Sequence, residues 1–361
     1  ANFFSIGDQR GAGTVIQNGG SVNVAGETRI GHWPNSGNYD ISAGTLNSGG
    51  QITVGWDGVG QFDVSGTAIV TTPDLLIGLN NSGTLNQTGG TINVTGPATH
   101  TVAAGAAGTV NHSGGTTNVT GNMNVGTSTG TGVYNLSNAG ELDFLDTATG
   151  TQVAQADAST LTVGANGTFN FTGGILRNVT TIDVQSASGT TFDQDGGRFV
   201  IGVDGVDYTK PATTRAITTI TGDFNQDDGT LVVDIFGPIA AGFNGESASS
   251  TAGGIDPLDP SMDSDLLHVM GDATLDGILE VNLNDFTPSP FHWYDVLLAD
   301  GVIDDSGLTV EGVNLSRVID NPYGPGQLLQ VAVPEPASLA LWLLCGLAFA
   351  AFGYARLKQQ K

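Results

Sequence analysis

The sequence predicts an all-β chain: a right-handed parallel β-helix with three short strands per coil of about 24 residues, followed by a single C-terminal transmembrane helix. Three observations carry that expectation. A Gly-framed segment recurs about every two dozen residues, Val and Ile alternate with polar residues between the glycines, and one uncharged apolar run lies near the C-terminal end.

The repeat is visible in GTVIQNGG at 13, GNYDISAG at 37, GQFDVSG at 60, GTLNQTGG at 83, GTVNHSGG at 108, GVYNLSNAG at 132, GTFNFTGG at 167, GTTFDQDGG at 189 and GDFNQDDG at 222. Gly opens each segment, an apolar residue follows two positions later, polar residues come next, and Gly closes. Six of the eight intervals between starts fall between 22 and 25 residues, and the two longer ones, 35 and 33, read as loop insertions. A second strand follows the closing Gly, as in SVNVAG at 21, TINVTG at 91 and TTNVTG at 116. A third ends in an apolar residue and Gly, as in TRIG at 28, ITVG at 52, LLIG at 75 and MNVG at 123.

One such coil buries almost nothing alone. Stacking at about 4.8 Å turns the inward positions into ladders of Val, Ile and Leu and leaves the outward ones polar. Nine coils make a column of roughly 43 Å on that spacing. Asn47, Asn86, Asn111, Asn135 and Asn170 hold similar places in the repeat, so their amides are expected to bond along the axis. On this reading, residues 1–235 form the repeats, 236–262 are an aperiodic loop or linker, and 263–332 form a bulkier C-terminal solenoid cap. The stretches SDLLHVMGDATLDGILEVNL at 264 and FHWYDVLLADGVI at 291 resemble the final passenger coils of autotransporters. With the Gly repeats, the chain is similar over about 300 residues to proteins with autotransporter-associated β-strand repeats, a resemblance that implies fold more than activity.

Residues 333–361 have a different character. Ala337 to Ala355 carry no charge and span roughly 28 Å as a helix, close to a bilayer core. Arg356, Lys358 and Lys361 follow, which places the basic end in the cytoplasm and the body on the far side of the membrane. Before the span, Pro334-Glu335-Pro336 forms a stiff extended joint. Motif, span and basic end in that order resemble the PEP-CTERM sorting signal. The resemblance implies an exosortase-type processing protease as partner, removal of the span, and delivery to the cell surface or an exopolysaccharide matrix. Ala1 reads as a mature terminus after removal of an export signal.

Composition excludes other classes. A net charge of −25 repels phosphate backbones, so no nucleic acid partner is expected. The acids are uneven, 13 in residues 1–200 and 21 in 201–332. Cys345 is the only cysteine, which rules out an intrachain disulfide or cysteine zinc site. GTSTG at 126 fits G-x-S-x-G, yet Ser128 lies between repeat strands with no helical pattern after it, and a nucleophile elbow needs one. Asp40 and Asp63 occupy matching positions on adjacent coils and read as solvated acids. The run Asp256, Asp259, Asp263, Asp265, Asp272 and Asp276 lacks the order of an EF-hand, leaving weak Ca²⁺ binding as its expectation. His32, His100, His112, His268 and His292 show no metal-ligand spacing. Thr91, Thr95, Thr116 and Thr120 align between coils, the pattern of an ice- or glycan-binding face, but read as ordinary outward strand residues.

No residue is therefore assigned to catalysis, a cofactor or a metal. The expectation is a non-enzymatic structural or adhesive solenoid of the bacterial envelope or exopolysaccharide matrix, with glycans as its ligand class. The alternative is a polysaccharide-acting lyase or hydrolase on the same scaffold.

Overall fold

The computed structural model describes residues 3–97, 99–145, 159–185, 190–202, 216–235, 264–283, 293–313, 315–322 and 324–332. Among them there is no helix, and the chain alternates between two sheets of 13 and 14 strands. Short strands such as Phe4–Ile6, Thr28–Ile30, Ile52–Val54 and Leu75–Ile77 build the first sheet, each parallel to the next. Long strands such as Gly13–Val24, Gly37–Ser48, Gly83–Val94, Gly108–Thr120 and Gly132–Leu145 build the second. Each lap adds one strand to the first sheet and one long strand, or its two separated halves, to the second, which is the connectivity of a solenoid.

The opening glycines of the repeat stack as the spacing predicts. Gly13 pairs with Gly37, Gly37 with Gly60, Gly60 with Gly83, Gly83 with Gly108, Gly108 with Gly132 and Gly132 with Gly167. The segments that lengthen the two long intervals fall mostly at 146–158 and 203–215, outside the described residues.

The coil differs from the three-strand expectation in one respect. The first two predicted strands run on as one long strand through the closing glycines, with a register shift at the bend. Gly44 shows why the bend needs glycine. Its φ is 86°, and a Cβ there would lie 2.2 Å from the Gly20 carbonyl oxygen of the preceding coil. Where Ser65–Ala68 replace the glycine pair, the strand divides into Gly60–Val64 and Ile69–Thr72, and three separate strands also appear in the coils after residue 264, as in Leu266–Val269, Ala273–Leu275 and Ile278–Asn282.

The core lies between the sheets. One column runs Val15, Tyr39, Phe62, Leu85, Val110, Tyr134, Phe169, each in register with the next. The ladder is thus aromatic as well as aliphatic: Tyr134 stacks on Phe169 at 5.3 Å, and Phe192 on Phe224 at 6.3 Å. Burying each ring contributes about 2 kcal/mol. At the first coil Val15, Val22 and Val24 are only partly buried, whereas Tyr39 and Leu46 above them are fully so.

The other end closes differently. Leu266–Val269 and Trp293–Ala299 continue the parallel stack. Gln327–Ala332 then pairs antiparallel with Trp293–Ala299, and Leu315–Asp320 pairs antiparallel with Gln327–Ala332. A reversed pair therefore seals the short-strand sheet. The whole linker at 236–262, and the whole tail with Pro334, Glu335, Pro336, Ala337 to Ala355, Arg356, Lys358 and Lys361, lie outside the described residues. No helix among the described residues is long and apolar enough to cross a membrane.

Candidate functional site

The outward face of the long-strand sheet carries polar ladders. Asn86 Nδ2 donates to Asp63 Oδ1 at 2.7 Å, Asn111 to Asn86 Oδ1 at 2.8 Å, Asn135 to Asn111 Oδ1 at 2.8 Å and Asn170 to Asn135 Oδ1 at 2.6 Å. Each amide donates toward the preceding coil, and the series ends on a carboxylate. Four of the five predicted asparagines stand in this column. Asn47 does not: it bonds Asn23 Oδ1 at 2.8 Å in a second column that includes Asn93 and Asn118. The two halves of the long strand carry Asn in similar sequence settings, so spacing alone mixed the columns.

Where the Asn column passes Asn170, the sheet opens. The pairing between Gly167–Arg177 and Thr191–Val200 begins only at Phe171 and Gln194. The N–H groups of Gly13, Gly37, Gly60, Gly83, Gly108 and Gly132 each bond a carbonyl of the next coil, but that of Gly167 bonds Gly164 of its own turn at 2.8 Å. A groove of about 560 Å³ lies at this step, lined by Phe169, Asn170, Asp193, Asp195, Asp223 and Asp272 among others. Burial raises the Asp193 pKa, with Asp195 and Asp227 adding to the rise, while Asn225 Nδ2, 3.3 Å from Asp193 Oδ1, opposes it. No Lys, Arg or His is among the described lining residues. No group of three or more His, Cys, Asp or Glu among the described residues is arranged to hold a metal ion.

Chemically, the groove offers hydrogen-bond acceptors and one partly exposed ring, Phe169. Such a surface suits donors that are neutral or cationic. A raised carboxyl beside other acids is also the raw material of general acid catalysis, whereas the Arg or Lys base of a lyase is not among the described lining residues.

The remaining sequence candidates sort by their partners. Asp40 and Asp63 are in register, and Asp63 is held by Gln61 Nε2 and Asn86 Nδ2, both at 2.7 Å. Ser128 lies in an exposed turn whose carbonyl accepts from Asn166 Nδ2, with no helix after it. Asp265 is buried and accepts from Ala216 N–H at 2.9 Å, and Asp272 accepts from Val302 N–H at 2.7 Å, so both cap backbone. Asp256, Asp259, Asp263 and His292 lie outside the described residues. Thr91 and Thr116 are neighbours, but Thr120 is buried, so a flat threonine face does not form.

Sequence reasoning missed one set of polar residues. Gln17, Gln87, His112, Gln194 and Gln226 point into the core at the long-strand bend. Gln17 Nε2 bonds Gly20 O and Thr45 O, Gln194 Nε2 bonds Gly197 O and Thr230 O, and Gln226 Nε2 bonds Gly229 O and Ile278 O. Each side chain staples its own bend to that of the next coil. The signal was present as a Gln or His three residues before a bend glycine.

No family model, curated protein or solved structure matches the chain.

Proposed function

We propose that the chain is an exported structural or adhesive β-solenoid of the bacterial envelope or exopolysaccharide matrix. The observation that supports this best is the run of coil-to-coil registers from Gly13 to Gly167, with polar ladders outside and a stapled core within. Its surface is built of side chains committed to one another. In finer detail the winding is a right-handed parallel β-helix, the hand that parallel crossovers adopt almost without exception. Residues 1–235 are the repeat and 263–332 its cap. Ala337 to Ala355 span the membrane until an exosortase-type protease acts at Pro334-Glu335-Pro336.

Fractionating cells that express the full chain behind an export signal, and the same fusion lacking residues 334–361, tests this. The full chain is expected at the cell surface or in the matrix, and the shortened one in a different fraction. Identical fractionation of the two, or a cytoplasmic full chain, contradicts it.

A second reading, a polysaccharide-cleaving enzyme, is favoured by the raised Asp193 carboxyl in the acidic groove. New reducing ends released from neutral polysaccharides by the chain, and abolished by Asp193→Asn, would establish it in place of the first.

A further inference from the structure

The turn between Gly31 and Gly37 is one residue longer than its neighbour between Gly55 and Gly60, and it contains Trp33. Trp33 has φ 58°, a left-handed conformation that bulky side chains avoid. The turn is held on both sides. His32 N–H bonds Gly7 O at 2.9 Å, and Asn35 Nδ2 bonds Asp8 O at 2.6 Å. What the strained backbone achieves is display, since Trp33 is 45% exposed, with Phe3, 41% exposed, also against the His32 ring.

Beneath these rings the cluster is braced. The buried His32 ring lies 5.8 Å from Phe3, 5.8 Å from Trp33 and 6.2 Å from Trp56. The Arg29 guanidinium sits between Trp56, 3.8 Å from the ring centroid, and Phe3, at 4.7 Å. Glu27 binds the same guanidinium at 2.9 and 2.6 Å. Arg29 is thus balanced by Glu27, and burial lowers the His32 pKa, so the cluster has little positive charge to offer an anion. Asp8 and Asp57 add negative charge around it.

We infer that the Trp33 turn is a docking platform for a neutral polysaccharide. A pyranose presents a flat C–H face that packs on an indole, and a hydroxyl rim that donates to carboxylates such as Glu27 and Asp57. The charge of the site and of the whole chain turns away uronic acids, phosphates and anionic lipid headgroups. A second copy carrying −25 is repelled likewise. This inference rests on the matrix reading above and gives that reading a ligand class.

The test is affinity electrophoresis of the full chain in gels containing hydroxyethylcellulose, laminarin or galactomannan, with alginate as the anionic comparison. Retardation by at least one neutral polymer and none by alginate is expected. Trp33→Gly removes the ring while relieving the left-handed backbone, so its Tm should hold or rise while affinity falls about tenfold or more. Trp33→Tyr should keep most of the binding, and Val302→Ala, an exposed site in the C-terminal part of the chain, all of it. No retardation by any neutral polymer, equal retardation by alginate, or undiminished binding by Trp33→Gly would overturn the inference. Fractionation is read separately: a chain that reaches the surface yet fails these gels loses this platform and keeps its scaffold role.

Discussion

At position 112 an imidazole takes the place that a glutamine amide takes at 17, 87, 194 and 226, and the substitution has a pH signature. His112 Nε2 lies 3.0 Å from Gly115 O and 3.2 Å from Glu141 N, and Nδ1 lies 2.9 Å from the Tyr134 hydroxyl. Gln17 does the equivalent, accepting from the Tyr39 hydroxyl at 2.5 Å. Burial pushes the His112 pKa down from 6.5 to about 4. The folded state therefore binds its proton later than the unfolded state on acidification. Stability is full above the unfolded value and declines as pH falls from 6.5 to about 4, by about 3 kcal/mol. Denaturant titrations at pH 7 and pH 4 should show that component vanish in His112→Gln, which keeps the staple without the titration. An unchanged pH dependence in the variant would count against the buried neutral imidazole.

Strand elements owe their bend to glycine at fixed places. Gly115 has φ 79°, and a Cβ would lie 2.3 Å from the Gly90 carbonyl oxygen of the coil before it. Gly115→Ala should therefore cost about 2 kcal/mol or more, while Gly324→Ala, with only Asn321 Nδ2 nearby at 3.5 Å, should change little. Chemical denaturation midpoints at constant slope would show the contrast. Asn111→Ala removes one donor and one acceptor from the ladder and should cost about 1–2 kcal/mol by the same measurement. The repeat's opening glycines were readable because each marks the same corner, and their register follows from interval alone. The continuous long strand was not, since a glycine pair looks the same in sequence whether the chain stops there or bends and continues. The inward glutamines were hidden too, because a polar letter in a polar stretch gives no sign of the carbonyls it serves. The reversed closing pair shares the period-two alternation of a parallel strand, so its direction left no trace in the pattern.

Among the described residues, the 13 strands of the short-strand sheet at about 4.8 Å give a stack of roughly 58 Å, longer than the nine-coil expectation because the region after residue 263 adds strands of its own. The acidic groove was illegible in sequence because its walls come from coils separated by the 33-residue interval and by the aperiodic stretch before Asp272. Distant parts are tied by Arg198, which bonds Glu280 at 2.7 and 3.1 Å across 82 residues of chain. That pairing holds the Glu280 pKa down, so its contribution is present at neutral pH and lost as acid protonates the carboxylate. The pair is partly exposed, and Arg198→Ala should cost no more than about 1 kcal/mol at neutral pH.

The stacking register is the claim on which ladder, staple and scaffold all depend, and paired thiols in a Cys345→Ser background measure it most directly. Asn111→Cys with Asn135→Cys places two thiols on adjacent coils, about 5 Å apart along the axis. Asn111→Cys with Asn225→Cys places them several coils apart. A short bifunctional thiol reagent should lock the first pair and leave the second open. Failure to link the first, or equal linking of both, would contradict a column of coils in register.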